Sequence, residues 1–314
     1  MNMTMANSGT NSTNGDERRN LVTIDDLSHE ELHTVLDIAA RRKVTAPEHR
    51  ERALSGQTMA MLFEKPSTRT RVSFETGMAQ LGGHAIFLGP DDIHLGHGEP
   101  ICDTARALSQ YADYVIARVF DHSDVVELAE YATVPVVNAL TDAAHPCQTL
   151  ADLLTVREHA GSFDASVAWV GDGNNVCQSF VVGAAMTDLD VTVATPEGYE
   201  IDEAVRTRAG ELGTAPTETH DPETAVEDAD IVYTDVWVSM GQEDERDERL
   251  QAFEEFQLTS DLVGDRAVMH CLPAHRGEEI TDEVLDSDSA LVWQQAENRL
   301  HAQNGLLLWL SESV

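Results

Sequence analysis

The chain changes its hydrophobic period repeatedly, and that alternation restricts its possible folds more than any other feature. Strand-like runs at Thr58–Phe63, His84–Leu88, Asp113–Val119 and Val134–Asn138 are separated by helical patterns at Arg69–Leu81, Cys102–Tyr111 and Ser123–Tyr131. After a helical pattern at Gln148–Ala160 and a Gly161-Ser162 turn, a second series begins. Its strands are expected at Ser166–Val170, Val191–Ala194, Ile231–Thr234 and Ala267–His270, with helices at Val176–Leu189, Glu203–Leu212 and Arg249–Glu255. Strands that alternate with helices build parallel sheets covered on both faces. The expected class is therefore α/β, with two doubly wound parallel-sheet domains and a cleft between them. A length of 314 residues agrees with two units, at a prior of about 150 residues per domain. Ahead of the first strand, Asp25 or Asp26 can cap a helix through Leu32, Val35, Leu36 and Ile38, and Lys43–Ser55 reads as a charged, turn-rich segment. Residues 1–20 hold much Asn, Ser, Thr and Gly and little to bury, the composition of a flexible arm.

Charge comes next, because it removes whole classes of partner. Lys and Arg number 20 against 56 Asp and Glu, a net charge of −36, while the apolar fraction stays at an ordinary 42%. The excess acid therefore covers a folded protein, and nucleic acid is excluded as a partner by sign. Lys43 and Lys65 are the only lysines. Such a surface is tolerable in molar salt, where the Debye length falls to about 3 Å. Four cysteines without a CxxC pair, and the lack of a signal peptide or a long apolar run, point to a reducing cytosol and no membrane. Thirteen histidines are scattered without ligand spacing, so no metal is expected.

Chemistry in open α/β sheets collects at the carboxyl ends of strands. Behind Thr58–Phe63 a Pro66-Ser67 break opens a helix whose first turn holds Ser67, Thr68, Arg69, Thr70 and Arg71. Unpaired backbone N–H groups, hydroxyls and guanidinium forks converge there, which suits a phosphate. A purely structural cap would carry one hydroxyl and would gain from acids rather than arginines. Arg118 closes DYVIARV, either as a salt-bridged edge residue or as a ligand; His145 and Gln148, which open the next helix, face the same edge. Gly171-Asp172-Gly173-Asn174-Asn175 resembles the start of a dinucleotide loop, but a third glycine and a ribose-binding acid are missing. Asp235, followed by Ser239, Met240 and Gly241, suits an ammonium ligand or a capping turn. Cys271 ends the last strand region, inert if it is core and available if that strand end opens into the cleft.

Taken together, FEKPSTRTR, HPCQTLADL, GDGNNV, DVWVSMGQE, MHCLP and a late ENR, in this order, strongly resemble the ornithine carbamoyltransferases, from about Leu21 onward. Aspartate-specific relatives share the first two motifs but typically read Pro-Leu-Pro near His270–Pro273 and lack the Ser-Met-Gly loop; putrescine-type relatives alter that loop. The resemblance implies a carbamoyl-phosphate domain at 21–150, an ornithine domain at 151–297, and a terminal helix within 298–314, over Asn298–Ser311, that returns to the first. It implies a donor site of Ser67, Thr68, Arg69, Thr70, Arg118, His145, Gln148, Cys271, Leu272 and Arg299, and an acceptor site of Asn175, Asp235, Ser239 and Met240. Arg118, His145 and Cys271 would carry the chemistry, without a cofactor. Carbamoyl phosphate and L-ornithine are the implied substrates, in a cytoplasmic homotrimer or a multiple of trimers. The loop Ile93–Glu99 departs from the relatives' Thr-Gln-Leu-Gly-Arg-Gly-Glu, placing His94 at a glutamine position and adding His97. A dehydrogenase using the Gly171 loop and a non-catalytic binding protein are the rival readings.

Overall fold

The computed structural model describes residues 19–92, 98–239 and 241–312. His94, His97, Met240 and most of the amino-terminal arm lie outside them. In the first unit the order is α1 (His29–Val44), β1 (Thr58–Phe63), α2 (Thr68–Gln80), β2 (His84–Leu88), α3 (Ile101–Leu108), β3 (Tyr114–Arg118), α4 (His122–Tyr131), β4 (Val136–Leu140) and α5 (Pro146–Ala160). The second continues with β5 (Ser166–Val170), α6 (Asn175–Ala185), β6 (Asp190–Ala194), α7 (Glu203–Leu212), β7 (Thr217–Thr219), α8 (Pro222–Val226) and β8 (Ile231–Thr234). It ends with α9 (Arg246–Ala252), α10 (Ser260–Val263), β9 (Ala267–His270), α11 (Asp282–Leu285) and α12 (Val292–Ser311).

Both sheets are parallel, with strand orders β2-β1-β3-β4 and β7-β6-β5-β8-β9. Each chain path starts at a central strand, builds to one side and returns to build on the other. This places a switch point between β1 and β3 and another between β5 and β8, the positions where strand-end loops diverge and leave a crevice. The expected doubly wound architecture is present in both halves.

Local chemistry explains the boundaries. The cap of α1 is Ser28, not Asp25 or Asp26. Its hydroxyl accepts from Glu31 N at 3.3 Å while the Glu31 carboxylate accepts from Ser28 N at 2.9 Å. Asp26 instead accepts from Val22 N and Thr23 N ahead of a short 3-10 turn. Gly161, at φ +80°, ends α5 in the left-handed conformation that glycine adopts without cost. Strand β4 starts two residues later than expected and runs to Leu140, because Pro135 can accept from Val115 N but has no N–H to give.

Helix α12 begins beside β9 and packs across α1, α2 and α5. Gly305 permits that approach: a Cβ there would lie 2.6 Å from Val35 O and 3.0 Å from Ala39 N. We expect Gly305→Ala to lower stability by about 1–3 kcal/mol, read as a lower unfolding midpoint in molar KCl. An unchanged midpoint would mean the helices part freely. The largest apolar cluster is continuous from Leu36 and Trp309 through Leu150 and Phe180 to Trp169, joining the two units along α5 and α6. No helix among the described residues is long and apolar enough to cross a membrane.

Candidate active site

The strand ends of both sheets open onto one cavity of about 720 Å³. It is lined by Ser67, Thr68, Arg69, Thr70, Arg118, His145, Gln148, Cys271, Leu272 and Arg299, together with Asn175, Asp235 and Ser239. These residues therefore reach the same space, whereas Arg71, expected to converge on it from the same turn, points away, pairing with Glu75 at 2.9 Å and lying over the Phe87 ring. Met240 lies outside the described residues.

One wall is cationic. Ser67 caps α2, its hydroxyl accepting from Thr70 N at 3.3 Å and donating to Thr70 Oγ1 at 3.0 Å. The α2 amino terminus thus points free donors into the cavity beside Arg69. Arg299, brought back by α12, donates to Thr70 Oγ1 at 3.2 Å, to His145 Nε2 at 3.1 Å and to Gln148 Oε1. Because the guanidinium can only donate, His145 Nε2 is the bare nitrogen and Nδ1 carries the proton. Burial, reinforced by Arg299 and Arg118, holds this imidazole well below its usual range, so it is neutral. Burial also lowers Arg118 to about 10, with Arg299 and Arg69 adding repulsion. Arg118 Nε, His145 Nδ1 and Arg299 Nε are buried without a hydrogen-bond partner among the described residues. Their residues line the cavity, and three unpaired donors so close to it suit an anion or a polarised carbonyl bound there.

The other wall is acidic and neutral. Asp235, buried after β8, accepts from Cys271 Sγ at 2.8 Å and from Asn174 Nδ2 at 3.0 Å. Burial and then Asp235 push the Cys271 thiol well above its usual range, so it stays protonated. That removes the thiolate a covalent route would need. Asn175 Nδ2 donates to Thr141 O at 2.6 Å, tying the two strand-end loops together. Ser239 is fixed through its backbone N–H, which donates to Gln242 Oε1 at 3.0 Å.

The Gly171 loop is structural on this wall. Asn174 Oδ1 accepts from Val176 N and Cys177 N, occupying the amino end of α6 that a dinucleotide phosphate would use. Gly173 is needed because a Cβ would meet Glu200 C at 2.6 Å. Asp172 pairs with Arg249 at 2.9 Å; burial raises its carboxyl to about 6, with the arginine opposing.

Sequence reasoning missed the scaffold beneath the cationic wall. Asp152 accepts from Gln148 Nε2 at 2.7 Å, Gln295 Nε2 at 2.7 Å and Tyr233 OH at 2.9 Å, linking α5, α12 and β8 in one buried network. Burial lifts the Asp152 carboxyl to about 7 against these three donors. Its place four residues after Gln148, on one helical face, was the available signal. Asn174, adjacent to Asn175, was likewise legible only as part of the loop.

A cationic donor pocket facing an acid, a thiol and a hydroxyl across two α/β units defines a two-substrate group transferase that joins an anionic donor to an ammonium-bearing acceptor. The chain belongs to the aspartate/ornithine carbamoyltransferase family: residues 19–158 match the carbamoyl-P binding domain and residues 164–310 the Asp/Orn binding domain. It is 62% identical to the ornithine carbamoyltransferase of Haloquadratum walsbyi over 93% of this chain and 97% of that one. The anabolic ornithine carbamoyltransferase of Pyrococcus furiosus is 52% identical, over 92% of this chain and 95% of that one. The solved ornithine carbamoyltransferase structure from Pyrococcus furiosus superposes with a TM-score of 0.88 at 51% identity, covering 94% of this chain and 97% of the other. That from Thermus thermophilus gives a TM-score of 0.85 at 42% identity, covering 93% and 98%.

Proposed function

We propose that the chain transfers the carbamoyl group between carbamoyl phosphate and the δ-amine of L-ornithine, with L-citrulline and phosphate as the other pair. The observation that carries this is the facing of the two walls: orphan donors of Arg118, His145 and Arg299 on one side, Asp235 with Cys271 on the other. The donor already has a good leaving group, so the protein's task is to position it and stabilise the charge that develops. Ser67, Thr68, Arg69 and Thr70 hold the phosphate, and Arg118, His145 Nδ1–H and Arg299 polarise the carbamoyl oxygen. Gln148 and the Cys271-Leu272 backbone hold the carbamoyl nitrogen. The deprotonated δ-amine attacks the carbonyl carbon. The new C–N bond forms, the C–O bond to phosphate breaks, and the departing phosphate takes the ammonium proton. Asp235 and the neutral Cys271 thiol orient the acceptor, with Asn175, Ser239 and Met240 on its remaining polar groups.

In this reading residues 21–150 serve the donor and 151–297 the acceptor, while residues 298–311 of α12 return to the first unit. The order of the two family-model ranges supports a donor half followed by an acceptor half, and the packing of α12 on α1, α2 and α5 supports its return to the first unit. The unit is a homotrimer or a multiple of it, in the cytoplasm, where the free thiols of all four cysteines suit a reducing medium.

Citrulline formation in molar KCl, with ornithine, aspartate, putrescine and acetylornithine offered separately, tests the assignment. Preferential turnover of any acceptor but ornithine would overturn it. Asp235→Asn is expected to raise the KM for ornithine far more than that for carbamoyl phosphate, because it removes a negative partner from the ammonium side only. Equal effects on both constants would make the Asp235 loop structural.

A further inference from the structure

Beside the cleft, the turn after Pro273 gathers three ligand-type atoms that the transfer chemistry does not use. His275 Nδ1, Glu278 Oε2 and Glu279 Oε2 lie within 4.8 Å of one another. The imidazole nitrogen is 3.7 Å from Glu278 Oε2 and 3.9 Å from Glu279 Oε2. All three atoms are buried and without a hydrogen-bond partner among the described residues, and Glu279 as a whole is 0% exposed.

The surroundings aim these atoms. Glu279 Oε1 accepts from His270 Nε2 at 2.9 Å and from His275 N at 2.6 Å, and Glu278 Oε1 accepts from Arg246. Each carboxylate therefore anchors one oxygen in the protein and turns the other, unpartnered, toward the imidazole. The turn is itself held: Glu278 N donates to His275 O at 2.9 Å, and Gln257 Nε2 donates to Glu278 O at 2.6 Å. Gaps of 3.7 and 3.9 Å are too long for direct N–H···O bonds. They match ligands placed around a common ion at bond lengths of about 2.1 Å, which can stand at most about 4.2 Å apart. Glu278 already pairs with Arg246, whereas the fully buried Glu279 carboxylate has no arginine or lysine partner among the described residues and gains from a positive one that offsets its desolvation.

We propose that His275, Glu278 and Glu279 form a site for one divalent transition-metal ion of the zinc class. One nitrogen and two carboxylate oxygens fit that class better than K+, Mg2+ or Ca2+, which favour all-oxygen shells. The hydrogen bonds to the opposite oxygens are the outer partners such sites employ. No pairing of histidines announces it in the sequence; the ligands are a His-x-x-Glu-Glu run on one turn. The ion acts as a staple. His270 Nδ1 accepts from Leu272 N at 2.9 Å, so fixing Glu279 also fixes His270 and the Cys271-Leu272 backbone along the cleft, where His275 is exposed to the cavity. A second group, Asp235, His270 and Cys271, also has ligand atoms within reach of one another, but there the thiol and the carboxylate already bond each other.

The test uses the full chain in molar KCl, stripped with a chelator, dialysed and titrated with Zn2+, with retained metal measured by elemental analysis. One ion per chain and a raised thermal midpoint are expected. His275→Ala and Glu278→Gln, at partly exposed positions, should keep the parent circular dichroism, weaken Zn2+ binding by at least about tenfold and lose the thermal shift; Glu279→Gln should do the same where it folds. Co2+ should give d–d bands without an intense near-ultraviolet thiolate band. Failure to retain stoichiometric Zn2+, equal retention in His275→Ala and Glu278→Gln, or a thiolate band placing the ion on Cys271 would each overturn the proposal.

Discussion

Arg69→Ala is expected to weaken carbamoyl phosphate binding by about ten- to a hundredfold, and transfer by more, while leaving the chain folded, with a melting temperature equal to or slightly above the parent's. Arg69 is exposed, lines the cavity and has no hydrogen bond or ion pair among the described residues. It stands in the first turn of α2, where the helix dipole disfavours a cation, and it adds to the repulsion acting on Arg118. In a chain of net charge −36, an arginine left without a carboxylate serves something other than stability. Truncating a charge-assisted contact to phosphate costs about 1.5–3 kcal/mol in binding, and more as charge develops in the transition state. Calorimetry with carbamoyl phosphate and a thermal scan read the two halves of this expectation. Unchanged affinity would remove Arg69 from the donor site, and joint loss of folding and binding would make it structural.

Lowering KCl from molar to about 0.1 M is expected to dissociate the proposed oligomer and abolish activity, before or together with unfolding, because the Debye length grows from about 3 Å to about 10 Å. The arginines are already shared: Arg276 reaches both Asp282 and Asp286 at 2.7 Å, and Arg208 reaches Asp25 at 2.8 Å and Glu211 at 3.1 Å. Most carboxylates consequently rely on dissolved cations, and facing surfaces of two subunits repel first. Restoring KCl should recover part of the activity. Sucrose or glycerol should substitute poorly, since they favour burial without screening charge. Activity and sedimentation followed over one salt series decide the matter: a fully active, undissociated protein at the low end would refute the salt requirement and leave the transfer assignment untouched.

Period and turn chemistry made β1, β2, β5, β8, β9 and α7 legible to the residue, because each is a clean apolar run or face bounded by Gly, Pro or charge. Strand β7, Thr217–Thr219, was not legible: three polar edge residues carry no alternation to read. Helix α9 starts three residues before its expected Arg249, at Arg246, since the acidic stretch ahead of it suits a helix amino end but looks like a loop in a hydropathy pattern. Helix α12 starts at Val292 rather than Asn298, its first turn anchored beside the Val268–Ala290 bridge, a contact between distant segments. The site followed the same rule. Residues at strand ends, from Ser67 to Cys271, were readable because topology sends such positions to one edge, whereas the Asp152 network depends on three elements meeting in the core.

Helix α12 also bears on how the protein is made. It follows every strand of both sheets in the chain, yet it supplies Arg299 to the wall that holds Arg69 and Arg118, both from the first unit, and it covers the apolar faces of α1, α2 and α5. Until it leaves the ribosome, Leu36, Phe74 and Leu150 have no lid, and Thr70, His145 and Gln148 lack the guanidinium that holds them in register. A nascent or prematurely ended chain is therefore a client for chaperones and proteases rather than a weak enzyme. The cationic wall of the cavity is completed in one step, with the closing helix, and not by degrees as the first unit emerges.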